Sequence, residues 1–261
     1  MRIYPETDDD RLTRGGPMAR SPGGFTISQW IGTDQRKPYS FNFNASYANN
    51  ARGGWGYFPG FGVTFRPSSA VEVSLDPRYS RTFAVAQYVR AVADETADRT
   101  FGSRYVFSDL DQTTLSVDMR LSWTFTPRMS LQLFLQPFVS SGEYSGFKEL
   151  HQPGKWDWDV YGEERGTIDE VDGEVAIDPD GDGAAPSFAL GNPNFNVRSL
   201  RGNAVLRWEY RPGSTLYLVW QQRRFDYATN GSFRLQDDYD ALFRTPPENV
   251  FALKVSYWLG R

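Results

Sequence analysis

The sequence predicts an all-β chain folded as an antiparallel transmembrane β-barrel, and three observations carry that prediction. The first is strict two-residue alternation. From Leu115 to Phe125, Leu115, Val117, Met119, Leu121, Trp123 and Phe125 share one face, while Ser116, Asp118, Arg120, Ser122 and Thr124 share the other. The second is a turn motif that recurs. Phe65-Arg66-Pro67-Ser68-Ser69-Ala70-Val71, Phe125-Thr126-Pro127-Arg128-Met129-Ser130-Leu131 and Tyr210-Arg211-Pro212-Gly213-Ser214-Thr215-Leu216 each place a proline two positions after an aromatic residue, with an aliphatic residue four further on. Proline presets φ for a tight turn and cannot donate to a ladder, so each copy reads as a short hairpin connection. The third is an asymmetry of connections. Short turns, including a fourth at Thr33 to Pro38, alternate with longer segments near Asn49 to Gly54, Val92 to Thr100, Gly142 to Arg198 and Asp226 to Glu248. Outer-membrane barrels show that same contrast between their two rims.

Taken in order, the alternation places strands at 24–33, 39–49, 55–66, 70–90, 102–126, 129–140, 199–211, 214–225 and 248–260. Phe41, Phe43, Ala45 and Tyr47 define the apolar face of the second. Ala204, Leu206, Trp208 and Tyr210 define that of the seventh, and Phe251, Leu253, Val255, Tyr257 and Leu259 that of the last. A strand of about eleven residues, tilted by about 45°, covers the height of an outer-membrane apolar band. The strands at 70–90 and 102–126 exceed one crossing and are expected to project beyond it as a ribbon. Nine strands put the C-terminus on the short-turn side and the N-terminus on the long-loop side, whereas single-chain bacterial barrels have even strand numbers. Met1 to Arg20 contains four acids and no apolar core of a signal peptide. The expectation is therefore the C-terminal portion of a larger barrel. Residues 1–23 read as a loop or the remnant of an upstream strand, 24–261 as the barrel, and 142–198 as an acidic external loop. A soluble β-sandwich also alternates and stands as the competing fold, although it would need a second sheet to cover these apolar faces.

Composition fits one lipid-facing and one wet side. Aromatic residues make up 16% of the 261 positions, yet mean hydropathy is −0.54. A net charge of −4, with Lys and Arg scattered, argues against a nucleic-acid partner. The absence of cysteine excludes thiol catalysis, zinc–thiolate sites and disulfides. No apolar run is long enough for a transmembrane helix.

The run from Asn192 to Ser214 (NPNFNVRSLRGNAVLRWEYRPGS), with Leu131 to Tyr144 and Asn249 to Trp258, resembles a family of Gram-negative outer-membrane proteins. In that family a barrel of unknown function follows a domain similar to family-nine carbohydrate-binding modules. The resemblance spans the chain from about Gly24 onward. It implies a bacterial outer-membrane location, outer-membrane lipid as surroundings, the barrel insertion machinery as partner to the closing strand, and a link to glycan handling. Its motifs describe architecture and identify no active site.

Candidate chemistry concentrates in the long loop. Asp178, Asp180 and Asp182, in the run Asp178-Pro179-Asp180-Gly181-Asp182-Gly183, have the alternation that wraps a calcium ion, but Ala189 stands where an EF-hand needs its bidentate acid. Asp172 and Glu174 are further donors; a solvated, turn-rich acidic loop is the plainer reading. Trp156 and Trp158 are candidates for stacking on sugar rings. His151 is the only histidine, with Ser140, Ser141 and Ser145 upstream, but no spacing marks a catalytic triad. The inward residues Asp118, Arg120, Arg207, Glu209 and Lys254 are expected to form cross-strand pairs. The functional expectation is a membrane scaffold or passage domain. A soluble calcium- or carbohydrate-binding module is the first alternative and an outer-membrane hydrolase the second.

Overall fold

The computed structural model describes residues 1–171 and 174–259. Its strands are β1 (Arg2–Tyr4), β2 (Thr7–Asp9), β3 (Ala19–Ser21), β4 (Gly24–Gly32), β5 (Tyr39–Asn50), β6 (Trp55–Ser68), β7 (Val71–Ala93), β8 (Ser103–Thr126), β9 (Met129–Leu150), β10 (Trp158–Val160), β11 (Thr167–Val171), β12 (Glu174–Asp178), β13 (Phe188–Gly191), β14 (Phe195–Arg211), β15 (Ser214–Ala228) and β16 (Glu248–Ser256). One α-helix, α1 (Leu235–Arg244), is found among the described residues.

The main sheet is an up-and-down meander in the order β1-β4-β5-β6-β7-β8-β9-β14-β15-β16, with β10 added beside β9, and every pairing in it is antiparallel. The nine long strands stand where alternation places them. They differ mainly at the loop end. β9 runs on to Leu150 and β14 begins at Phe195, so residues 142–150 and 195–198, expected in the acidic loop, belong to strands. The alternation was expected to end at Ser140 and the loop to begin at Gly142, but the backbones of Ser140, Ser141 and Gly142 are held by ladders to β8 on one side and β14 on the other. Among the described residues the sheet does not close on itself: β1 and β4 form one edge and β16 the other.

Register sorts the two faces. Val71, Trp123, Leu131, Leu206, Leu218 and Leu253 lie directly across from one another on six consecutive strands, and Ile31, Phe43 and Phe61 do so on β4, β5 and β6. On the opposite face, Ser40, Thr64, Ser74, Arg120, Phe134, Asn203, Gln221 and Val250 form one row. Of the inward charges, Asp118 makes the expected cross-strand pair, with Arg78 at 3.8 Å; its contact with Arg120 (4.0 Å) and that of Arg207 with Glu209 (3.6 Å) run along one strand, and Lys254 lies 5.9 Å from the Tyr217 ring on the neighbouring strand. The apolar face is bare. Trp123, Leu218 and Leu253 are 43%, 45% and 63% exposed, and no described segment packs over them.

The buried core sits instead at the loop end. There β7, β8 and β9 project, and a three-stranded sheet, β11-β12-β13, folds against them. Val106, Phe147, Tyr161, Val175 and Ile177 form its centre, with Val89, Val92, Ile168, Phe188 and Leu190 around them. Gly166 has φ +59° and lies so close to the Asp178 carbonyl that any side chain would strike it, which fixes where β11 meets β12. The N-terminal segment joins this cap. β2 and β3 form a hairpin, Asp9 accepts hydrogen bonds from the Arg11 and Leu12 amides and the Ser21 hydroxyl, and Gly154 N–H donates to the Met18 carbonyl.

Candidate functional site

The strongest constellation of reactive side chains is a charged cleft in this cap, between the β7–β8 turn and the end of β9. It encloses about 210 Å³ and is lined by Thr96, Arg99, Arg104, Glu149, His151, Asp159 and Arg165, among others. Its base is built by Arg104, whose side chain is buried. Arg104 Nε donates to Asp94 Oδ2 (2.5 Å), Nη1 to both Glu149 oxygens (2.7 and 2.8 Å), and Nη2 to Thr96 Oγ1 (3.1 Å). The β7–β8 turn presents Asp94 for this purpose. Thr96 closes it with an amide and a hydroxyl bond to Asp94 Oδ1, and Phe101 and Gly102 turn the chain back through left-handed conformations. Tyr161 O–H donates to Glu149 Oε2 at 2.9 Å.

Electrostatics follow from this burial. Burial alone would raise the Asp94 carboxyl, but the hydrogen bonds from Thr96 and Arg104 outweigh it and hold Asp94 below the ordinary carboxylate value. Burial, and then the Glu149 charge, push the Tyr161 phenol well above its ordinary value, so it stays a hydrogen-bond donor.

The rim is more accessible. His151 Nδ1–H donates to Asp159 Oδ1 (2.8 Å), the tautomer fixed because a carboxylate only accepts, and the Arg99 guanidinium lies against the imidazole. Arg165 reaches Asp159 Oδ2 at 3.2 Å and the Pro179 carbonyl at 3.1 Å. The cleft thus presents both acidic and basic side chains, most of them paired with one another.

Residues 9–260 match the family model described as Domain of unknown function (DUF5916). The chain belongs to the DUF5916 family. No curated protein and no solved structure matches it.

The DUF5916 fold disperses several residues that the sequence singles out. Ser140 bonds to Gln112 and Thr114, and the partners of His151 are Asp159 and Arg99, so no serine is hydrogen-bonded to the histidine. Asp178 Oδ1 caps the amides of Asp180 and Gly181, and Asp180 Oδ2 caps that of Ala185. These two carboxylates thus serve the loop's own backbone. Among the described residues no group of three or more His, Asp or Glu side chains is placed to hold a metal ion, and Asp172 lies outside the described residues. Trp158 packs on Phe107 with ring centroids 4.7 Å apart, and Trp156 meets Trp158 edge-on at 5.3 Å and the Arg52 guanidinium at 6.0 Å.

A second buried network escaped the sequence reading. Asp238 on α1 accepts from Asn196 Nδ2 (2.8 Å), Arg198 Nε (2.9 Å) and the Arg234 amide (2.8 Å), and Arg198 also pairs with Asp226. Its signal was present: Leu235, Tyr239 and Leu242 follow helical spacing, Asp237 and Asp238 open the first turn, and Pro246-Pro247 stands just past Thr245 at the helix end.

Proposed function

We propose that this DUF5916 domain forms the wall of a bacterial outer-membrane β-barrel, acting as a membrane scaffold or passage domain with its charged cap outside the bilayer. The observation that carries the reading is the bare apolar face that register makes continuous across the long strands, backed by a polar inner face. In water such a face is a large unsatisfied hydrophobic surface, whereas in a bilayer it meets hydrocarbon. Long loops folded into a cap at one rim and tight turns at the other fit the same placement. β16, with Phe251, Leu253 and Val255 alternating, is the strand offered to the insertion machinery. A glycan is the ligand class suggested for the cap by its mixed polar cleft and by Trp156 and Trp158 nearby in sequence.

Fractionation of bacterial cells producing the protein, with electrophoresis of unboiled and boiled samples in detergent, tests the reading. The expected result is recovery with outer membranes and a mobility shift on boiling. Recovery in the soluble fraction with no shift would sink it and favour a soluble β-rich binding module.

A further inference from the structure

The polar face of the main sheet holds two cations that the fold leaves unmatched. Arg201 of β14 and Arg223 of β15 are direct cross-strand partners, and alternation puts both on the face of Asn203 and Gln221. Opposed residues of an antiparallel pair have Cα atoms about 4.5–5.5 Å apart, and like charges at that separation work against the pairing of their strands. Other arginines of this face have acids: Asp118 serves Arg78 and Arg120, and Glu209 serves Arg207. Among the described residues neither Arg201 nor Arg223 makes an ion pair. Their neighbours explain this. Gln136, across from Arg201 on β9, is an amide, and it donates to Asp118 Oδ1 at 2.7 Å, so the acid beyond it is already engaged. Glu248 stands across from Arg223 on β16 without pairing to it, and one carboxylate would still leave one of the two cations unmatched. β14 and β15 each have a strand on both sides, so the pair lies within the wall and not at an edge.

The two arginines line a recess of about 500 Å³, together with Asn203, Gln221, Phe134 and Glu248 among others. Asn203 Oδ1 also lacks a hydrogen-bond partner. Charge and shape restrict what can fill the recess. A guanidinium is a rigid fork with a permanent charge, matched to the oxygens of phosphate or carboxylate. A phosphate monoester carries close to two negative charges at neutral pH, which balances two arginines, whereas a carboxylate brings one. The recess is larger than a phosphate group, and the side-chain amides of Asn203 and Gln221 can both donate to and accept from hydroxyl groups on the rest of a ligand.

We propose that Arg201 and Arg223 form a phosphate-binding site on the polar face of the sheet, and that its ligand is the phosphate monoester of a small hydroxyl-bearing solute. The site goes beyond the scaffold reading and does not depend on it, because the pair faces water whether that water fills a lumen or surrounds a soluble protein. Within a passage domain the same pair favours anions over cations.

The test is calorimetric titration of the purified protein with glucose 6-phosphate at millimolar concentration, with inorganic phosphate, glucose and acetate compared at equal ionic strength. The expected result is binding of glucose 6-phosphate, weaker binding of inorganic phosphate, and no measurable binding of glucose or acetate. Arg201→Gln and Arg223→Gln should each weaken binding of the ester by about tenfold or more. Glu248→Gln, which removes the acid across from Arg223, should strengthen it. Arg128→Gln, which takes away an exposed arginine of the β8–β9 turn, should leave it unchanged. Relieving the repulsion between opposed cations should let the Arg201 and Arg223 variants melt, without ligand, at or above the temperature of the unaltered protein, so a loss of binding is separable from a loss of fold. Four outcomes would overturn the proposal: no binding of glucose 6-phosphate by the folded protein; binding undiminished in Arg201→Gln and Arg223→Gln; an equal loss in Arg128→Gln; or acetate or inorganic phosphate bound as tightly as the ester. A protein recovered in the soluble fraction that bound the ester through this pair would defeat the membrane reading and leave this one standing.

Discussion

Arg104 is the residue on which the cap depends. It neutralises two buried carboxylates, Asp94 of the β7–β8 turn and Glu149 of β9, and removing it leaves Asp94 out of water without its cation and Glu149 with only Arg165, at 3.7 Å. Breaking a buried pair in this way costs about 3–5 kcal/mol. Arg104→Ala is therefore expected to expose the 151–194 segment to limited proteolysis, while Arg104→Lys, which keeps the charge but loses the fork, gives an intermediate rate. The same network sets a pH dependence. Asp94 titrates below its ordinary value in the folded protein, so its contribution is complete above the unfolded carboxylate value and is lost as pH falls through the lowered one. Protease resistance of the cap should hold through mildly acidic pH and fail below the usual carboxylate range. Asp94→Asn should be weaker at neutral pH with a flatter acid profile; an unchanged acid profile would remove Asp94 from the account. Little of this was legible beforehand. His151 stood out as the lone histidine, but Arg104 and Glu149 lie 45 positions apart, and no local pattern announces a contact across that distance.

At the scale of elements, the long strands were legible because period-two alternation is a property of each strand taken alone. Leu115 to Phe125 needs no knowledge of its neighbours to read as β8. The extension of β9 to Leu150 was not, because Ser140, Ser141 and Gly142 have turn-like chemistry and become strand only through ladders on both sides. Helix α1 was hidden for a different reason: its two early acids blend into a polar loop, and its amphipathic period spans only ten residues. What holds α1 down is Asp238, buried against Asn196 and Arg198 of β14. Asp238→Ala removes one of the two acids that Arg198 touches and one of the two acceptors of the Asn196 amide, at a cost of about 1–3 kcal/mol, since Asp226 and the Ser232 carbonyl remain. The expected outcome is rapid amide hydrogen exchange across residues 235–244 with little change in β14 and β15. Equal loosening of those strands would show that α1 supports the sheet rather than resting on it.

For the whole molecule, alternation predicts two faces but not what lies against them, nor where a sheet stops. Closure belongs to strand number and direction, which is why an antiparallel sheet could be read from single strands while its two open edges could not. The medium on the apolar side is decided by comparing neighbouring residues on opposite faces. Leu133 lies outward beside Leu121 and Ala204, and Gln132 inward beside Ser122 and Val205. Both are exposed, so in a soluble protein an arginine at either position meets water and costs little. In a bilayer the two differ: Leu133→Arg puts a guanidinium into hydrocarbon, at about 2–4 kcal/mol near the midplane, while Gln132→Arg stays on the wet inner side. Leu133→Arg is thus expected to reduce outer-membrane recovery and to lower the temperature at which the unboiled band gives way to the boiled one, with Gln132→Arg close to the parent. If the two variants behave alike, the apolar face does not meet lipid, and a second protein layer becomes the surface to look for.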